Sequence, residues 1–337
     1  MSTSIDNRSN SISLNDVSGF TPTNQSSTTS SSQNASTFDS GKSSFEIAKG
    51  GIDLTGGAGD KGLGQSIKNL LGQGLQHVKN YGHFFGDEFV NSLIRGMSTY
   101  ASKADARDDG KMLGANGKLL PGNTSLDKVP GVTPQGGVRN NETIIYTNGI
   151  LNDTATQAKD LQSIANATGS KVVGVRNATQ GAFGDLTQCL GDKARLGNNK
   201  AAETLKFQIL NELYKGHDVH LMGHSQGGLI TARALFDVRD SLKAQGKSDA
   251  EVKNIMSRIQ VETFGAASHS YPDGPKYDHY VNNTDLVPAS FGLGTALDKN
   301  NKTLHPGEGA NVHYFTDFKP NPMDDHNFAD LYLKHRE

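Results

Sequence analysis

The chain has 337 residues, a formal net charge of −2 and an ordinary charged fraction of 20%. Without a broad basic field it is not expected to bind nucleic acid, and its length allows one large domain or two small ones. The single cysteine, Cys189, excludes an intramolecular disulfide, so the fold does not depend on an oxidising compartment. No apolar run reaches the length of a membrane span.

Residues 1–45 form a polar N-terminal tail. About half of them are serine or threonine, and with few large apolar groups they cannot offset their ordering entropy, which predicts disorder. The tail is either a plain extension or a secretion signal, since its composition resembles the uncleaved N-termini of effectors exported by bacterial type III machines. The layout of a cleaved signal peptide is missing. We therefore expect either export without cleavage, into a host cell, or a cytoplasmic location.

Residues 46–105 combine a glycine-rich linker at 50–64 with two predicted amphipathic helices. Apolar residues recur at helical spacing in Ile67–Val78 and again in Phe89–Tyr100. The simpler interpretation packs both helices on the domain that follows. The alternative is a lipid-binding surface, although the polar faces lack the dense lysine and arginine that anionic membranes favour.

Residues 106–337 predict a domain of mixed strands and helices. Short apolar pieces among the glycines and prolines of 110–137 favour a β-hairpin at a sheet edge. From residue 142 onward strands alternate with helices, which predicts a mostly parallel central sheet with helices on both faces. The predicted strands are Thr143–Thr147, Lys171–Val175, Val219–Met222, Ile259–Phe264, Tyr277–Val281 and Val312–Phe315. The predicted helices are Thr154–Thr168, one from Ala202 to Leu213, one after Gly228, and one that begins at a capping box of Ser248 and Glu251.

The run Gly223–Gly228, with Ser225 at its centre, fits G-x-S-x-G, the nucleophile elbow. An apolar strand precedes it and a helical pattern follows it, which is the context that the motif requires. Glycines are needed because the turn is strained and the strand and helix pass too close for a Cβ. The sequence therefore predicts that Ser225 is a nucleophile, with a purely structural glycine turn as the alternative.

A serine nucleophile needs a histidine base and a carboxylate that orients it, in the chain order Ser, Asp or Glu, His. These groups are expected just after strands, at the carboxyl edge of the sheet. Asp285 meets this condition, although an Asx turn before Pro288 would also explain it. Asp273 and Asp278 precede that loop or lie within the strand.

His326 is the predicted base, because it follows the last predicted strand by about ten residues and precedes Asn327–Leu333, which reads as a helix. His305 is the second choice. His313 falls inside a strand, and His335 lies near the chain end, where fraying disfavours a fixed geometry. His224 is expected to point away from the nucleophile.

An oxyanion intermediate needs preorganised donors. One is expected to be the backbone N–H of Gln226, the residue after the nucleophile. The second is expected from the loop after the first parallel strand, as the amide of Gly149 or Ile150. An ordinary Asn-Gly turn is the alternative interpretation of that loop.

These pieces resemble the α/β-hydrolase superfamily, and more narrowly the class 3-like lipases and serine esterases. The resemblance covers about 142–337 and is carried by Gly223–Gly228, Thr263-Phe264-Gly265, Asn283–Pro288, and His326 with Tyr332. It departs from class 3 lipases at Gln226, where leucine is common. The family implies ester hydrolysis without a metal or organic cofactor. Together with the tail, the resemblance suggests a bacterial lipase or phospholipase delivered into another cell.

The expected partner is a lipid or small ester, with a membrane surface as a further candidate; the sequence does not predict the oligomeric state. Ala289–Leu297 could line an acyl groove and Ala178–Asn198 could form a lid, or both could be loops that cover the core. An acyltransferase, peptidase or thioesterase would use the same triad. A third hypothesis is a hydrolase-shaped binding module without activity.

Overall fold

The computed structural model describes residues 106–150, 152–178, 199–294, 304–320 and 324–336. Several predicted features lie outside these residues: the tail of 1–45, the linker and helices of 46–105, Cys189, the lid region beyond Ala178, and the part of Ala289–Leu297 beyond Gly294.

An eight-stranded sheet forms the centre of the described domain, with strand order β2-β1-β4-β3-β5-β6-β7-β8. Strand β1 pairs antiparallel with β2 and β4, and all the other pairs are parallel. The strands are β1 (Met112–Leu113), β2 (Leu119–Leu120), β3 (Thr143–Thr147), β4 (Lys171–Val175), β5 (Val219–His224), β6 (Ile259–Phe264), β7 (Lys276–Asn282) and β8 (Asn311–Phe315). The predicted edge hairpin and mostly parallel sheet are confirmed.

Five α-helices connect these strands within the described ranges. Capping residues mark where they begin and end. They are α1 (Thr154–Thr168), α2 (Lys200–Tyr214), α3 (Gln226–Ala244), α4 (Asp249–Met256) and α5 (Leu286–Phe291). Helix α1 ends at Gly169, whose φ of 76° is the left-handed conformation that glycine adopts without strain. The predicted capping box of Ser248 and Glu251 starts α4. None of the described helices is both long and apolar enough to cross a bilayer.

Two hydrophobic cores lie on opposite faces of the sheet, as alternating side chains of a strand require. Ile144 and Tyr146 of β3 share one core with α1 and the C-terminal residues 328–333. Ile145 belongs to the other core, with residues from α2, α3 and α4. The C-terminal segment therefore covers the sheet beside α1.

The predicted helix over Asn327–Leu333 is wrong. Turns lead to a short 3₁₀ helix at Tyr332–His335, and Tyr332 N–H donates to Asn327 O, five residues back. Leu331, Tyr332 and Leu333 are all buried. Because helical side chains are spaced about 100° apart, an α-helix would turn at least one of three successive residues away from the sheet. Burial of the three side chains therefore overrides the helical pattern.

Candidate active site

Ser225 lies between β5 and α3 in a strained backbone conformation. Its φ is 57° and its ψ −124°, a region that residues with a side chain rarely adopt. The neighbouring glycines make room for this turn. A Cβ on Gly227 would collide with the carbonyl oxygen of Thr147, and one on Gly228 would collide with Cβ of Ala266. The strand, sharp turn and helix of a nucleophile elbow are therefore present.

The elbow lies where the strand order reverses, between β3 and β5. Helices α1 and α3 leave these two strands toward opposite faces, which opens a crevice at the carboxyl edge, where α/β sheets bind ligands. Gly149 faces Ser225 across this crevice. A Cβ on Gly149 would lie 2.8 Å from Cβ of Ser225 and 3.3 Å from its Oγ. Glycine is therefore required for the close approach of this loop.

Asp285 follows β7 and is completely buried. Its Oδ1 accepts the Val287 N–H over 2.9 Å, so the side chain caps α5. Its Oδ2 accepts from His326 Nδ1 and from the Tyr332 hydroxyl, each over 2.6 Å. The turn role and the role as partner of a histidine, which the sequence left as alternatives, are therefore fulfilled by one carboxylate.

His326 presents an unoccupied ring nitrogen beside the elbow. Because a carboxylate only accepts, the bond to Asp285 places a proton on Nδ1, and in the neutral imidazole the lone pair is then on Nε2. Nε2 is buried and has no hydrogen-bond partner in the described part of the chain. The hydrogen bond between base and nucleophile is often long without substrate, so an unpaired Nε2 is suited to a general base.

His224 supports this base. Its ring packs on that of His326, with 4.6 Å between centroids, and its Nε2–H donates to the His326 carbonyl over 3.0 Å. Burial, and then the neighbouring His326, lower the pKa of His224 well below its usual value, so the ring stays neutral. The residue expected to point away from the nucleophile therefore holds the backbone of His326 without adding a second charge.

The alternative acids and bases have other partners. Asp273 pairs with His305 over 3.0 Å, and Asp278 pairs with His313 over 3.0 Å. His335 stacks on the Phe315 ring of β8. Of these three carboxylate–histidine pairs, Asp285 and His326 are the least exposed, with side chains 0% and 10% exposed, and they lie beside the elbow.

A network of buried amides connects the loops around the elbow. Gln226, the first residue of α3, accepts from Asn177 Nδ2 over 2.8 Å through its side-chain oxygen. Asn177 N–H donates to Asn148 Oδ1, and Asn148 Nδ2 donates to the Gly149 carbonyl over 2.8 Å. The last bond fixes the peptide between Gly149 and Ile150, so the Ile150 N–H points to the opposite side. This network holds the Gln226 side chain and the peptide after Gly149 in place, and the oxyanion role of the amides at 149, 150 and 226 stays a prediction.

Asn282, at the end of β7, joins the loops that carry Asp285 and His326. Its Nδ2 donates to the carbonyls of Asp317 and Asp325, over 3.0 and 3.3 Å. Its Oδ1 accepts from the Thr284 hydroxyl and the Asp317 N–H. Sequence reasoning missed this residue and Asn177. The available signal was an asparagine at the carboxyl end of three strands, at 148, 177 and 282.

No family model and no curated protein matches the sequence. Among solved structures, the chain is similar to an esterase of the archaeon Pyrobaculum calidifontis, with 12% identity over 85% of this chain and 91% of that chain, and a TM-score of 0.38. The chain is also similar to an esterase of the bacterial hormone-sensitive lipase family, with 13% identity over 80% of this chain and 97% of that chain, and a TM-score of 0.37. A third similar structure is EstE1, a thermostable carboxylesterase cloned from a metagenomic library. The identity is 10% over 82% of this chain and 91% of that chain, and the TM-score is 0.37. At this level of similarity, function is inferred from the geometry of the site.

Proposed function

We propose that this protein is a serine hydrolase that cleaves carboxylic esters through an acyl-enzyme on Ser225. The observation that carries the proposal is His326, whose Nδ1 is bonded to the buried Asp285 while its own buried Nε2 has no partner in the described residues. This imidazole packs on the residue that precedes a serine held at φ 57°. Strain of this kind persists where the surrounding structure enforces it, typically at functional sites.

The proposed mechanism gives each of these residues one role. His326 Nε2 takes the proton of Ser225 as Oγ attacks the ester carbonyl, and Asp285 stabilises the resulting imidazolium. The backbone N–H groups of Gln226 and of Gly149 or Ile150 stabilise the oxyanion. The imidazolium returns its proton to the leaving alcohol as the C–O bond breaks. Water, activated by Nε2, then releases the carboxylic acid and restores Ser225.

We propose lipid or phospholipid acyl esters as the substrate class, because the segment after Asp285 is apolar. Within its described part, Phe291 and Leu293 are buried, and the Tyr314 hydroxyl donates to the Leu293 carbonyl over 3.1 Å. Delivery of the protein into another cell and contact with its membranes are part of the same proposal, on the composition of the tail alone.

A mixed lipid extract incubated with the full chain tests the proposal, with released fatty acids and lyso-lipids read by mass spectrometry. The proposal expects both or either product from wild type and neither from Ser225→Ala. Ser170→Ala is the matched control, since that hydroxyl binds Glu142 at the opposite edge of the sheet. Transfer of acyl groups to an added acceptor would favour an acyltransferase, and hydrolysis of an added acyl thioester instead of the lipid esters would favour a thioesterase. A folded wild type that turns over no ester would favour the binding module.

A further inference from the structure

The carboxylate of Asp285 has a second side-chain donor besides the histidine. The Tyr332 hydroxyl donates to Oδ2, the oxygen that also accepts from His326 Nδ1, and both distances are 2.6 Å. We infer that Tyr332 is a positioning residue of the hydrolase, whose hydroxyl fixes the carboxylate that orients the base. The inference rests on the proposed function, since positioning matters only if His326 is the base.

The direction of the Tyr332 hydroxyl proton is determined by its neighbours. The Asn282 N–H donates to the Tyr332 oxygen over 3.2 Å, so this oxygen acts as an acceptor on that side. An ionised carboxylate only accepts, so the hydroxyl proton must point to Asp285. Burial, and then the charge of Asp285, raise the pKa of Tyr332 well above its usual value, so the phenol remains a donor.

The backbone provides a dedicated place for the Tyr332 ring. Gly265 follows β6 with a φ of 53°, and a Cβ there would lie 2.8 Å from Cζ and 2.9 Å from the hydroxyl oxygen of Tyr332. The Phe315 ring meets the tyrosine edge-on, with 5.4 Å between centroids. Because a side chain at residue 265 would occupy the position of the phenol, Gly265 and Tyr332 form one unit.

The C-terminal 3₁₀ helix is also anchored beyond Tyr332. Arg336 forms two hydrogen bonds with Glu262 of β6, over 2.6 and 2.9 Å. Bidentate pairs between arginine and a carboxylate fix geometry as well as adding stability. Tyr332 therefore lies between two fixed points, its hydrogen bond to Asp285 and the Arg336–Glu262 pair. Because the segment is anchored at this pair, the phenol stays in place if the carboxylate of Asp285 rotates.

The phenol has a chemical effect that a merely packed residue would not have. Without the hydroxyl, the buried Asp285 keeps two donors instead of three. One of the hydrogen bonds that stabilise the negative charge beside His326 is then lost. We therefore expect the acidic limb of the pH profile of kcat/KM to move to higher pH, and kcat to fall because the imidazole is less well oriented.

Tyr332→Phe removes only this hydroxyl, and Tyr277→Phe is the matched control. Tyr277 is also buried, and its hydroxyl donates to the Pro272 carbonyl over 2.6 Å. For Tyr332→Phe we expect kcat on a short acyl ester to fall by about tenfold or more, KM to change by less than about threefold, and the acidic limb to rise by about 0.5 pH or more. Asp325 also faces Asp285, and burial raises its pKa to about 6. Because both variants retain Asp325, a difference between their pH profiles is not due to its loss.

A second measurement does not depend on turnover. The His326 Nδ1 proton should give a low-field proton resonance in wild type, which shifts in Tyr332→Phe and not in Tyr277→Phe. An unchanged limb and an unchanged resonance in a folded Tyr332→Phe protein would overturn the inference, as would equal changes in the control. If wild type hydrolyses no ester, the proposed function fails. The resonance then still decides whether Tyr332 holds the Asp285–His326 pair.

Discussion

Each edge of the sheet holds a histidine that is at most 10% exposed and is bonded to a carboxylate, but the two histidines differ in how many ring nitrogens are bonded. At the amino edge, His220 uses both ring nitrogens, with Glu142 over 3.1 Å and Glu262 over 2.7 Å. At the carboxyl edge, His326 uses only Nδ1, and Nε2 has no partner among the described residues. The two edges therefore share a histidine bonded to a carboxylate. In His220 both ring nitrogens are hydrogen-bonded, whereas in the described part of the chain one ring nitrogen of His326 is not.

The charge state follows from this difference. Two carboxylate partners require a proton on each nitrogen of His220. Burial opposes that charge, but Glu142 and Glu262 outweigh it, so the pKa of His220 is raised. Arg336 completes the pairing on Glu262. A histidine with both ring nitrogens bonded to carboxylates is a charged group that stabilises the fold. A histidine with one unbonded ring nitrogen can accept a proton from a neighbouring group. Variants at the carboxyl edge should therefore lose activity, and variants at the amino edge should lose stability.

The largest effect is expected from Ser225→Ala at the carboxyl edge. Loss of the nucleophile should reduce kcat on a short acyl ester by about 10⁴-fold or more. The free energy of unfolding should change by less than about 1 kcal/mol, because the backbone strain is retained and little packing is lost. Steady-state kinetics and urea unfolding on one preparation measure both. A variant with full activity would falsify the assignment of the nucleophile.

His326→Ala and Asp285→Asn should each reduce kcat by on the order of 10³-fold, since the first removes the base and the second its orienting acceptor. His305→Ala is the control, because His305 pairs with Asp273 and its side chain is 52% exposed. Initial rates at saturating ester measure the three variants side by side. A large loss in His305→Ala with little loss in His326→Ala would place the base at His305 instead.

Gly149→Ala should have an intermediate effect. Its Cβ would lie 2.8 Å from Cβ of Ser225, so either the loop that carries Gly149 or the turn at Ser225 must shift. A displacement of about 1 Å at a reacting centre costs about 10²-fold in rate. Gly136→Ala is the control, since its Cβ would meet only the end of the Arg139 side chain, at 3.6 Å. Equal activity of the two variants would remove this loop from the site.

His220→Gln should leave kcat unchanged and lower the free energy of unfolding by about 2 kcal/mol near pH 6, because Glu262 loses a buried partner. The folded-state pKa of His220 is raised above the usual 6.5. Its stabilisation is therefore complete below that value and is lost as pH rises through the folded-state pKa. Urea unfolding from pH 5.5 to 9 should show this decline in wild type and not in the variant. A loss of activity at constant stability would contradict the structural role.

The sequence predicts what depends on local pattern. Alternating apolar residues and caps predict the strands and helices, and the glycines around Ser225 predict the elbow. The position of Asp285 directly after a strand singles it out from Asp273 and Asp278. The contact between Tyr332 and Asp285 was not predictable in this way, because it joins residues 47 apart. It depends on where β6, β7 and the C-terminal segment meet.

The same reason explains the error at the C-terminus and the missed amides. The pattern of Asn327–Leu333 is helical in isolation, but the sheet buries Leu331, Tyr332 and Leu333 together. Asn177 bonds to Gln226 across 49 residues of chain, between loops that only the strand order brings side by side. Such side-chain pairs become visible only after the strands have been ordered.

The central claim is that Ser225 is activated by His326 at the carboxyl edge. The most direct test is the rate at which a fluorophosphonate labels the folded full-length chain, with the modified residue mapped by peptide mass spectrometry. The account predicts one label, on Ser225, formed much faster in wild type than in His326→Ala and unaffected by His220→Gln. No label on Ser225 in a folded wild type, or equal rates in wild type and His326→Ala, would contradict it.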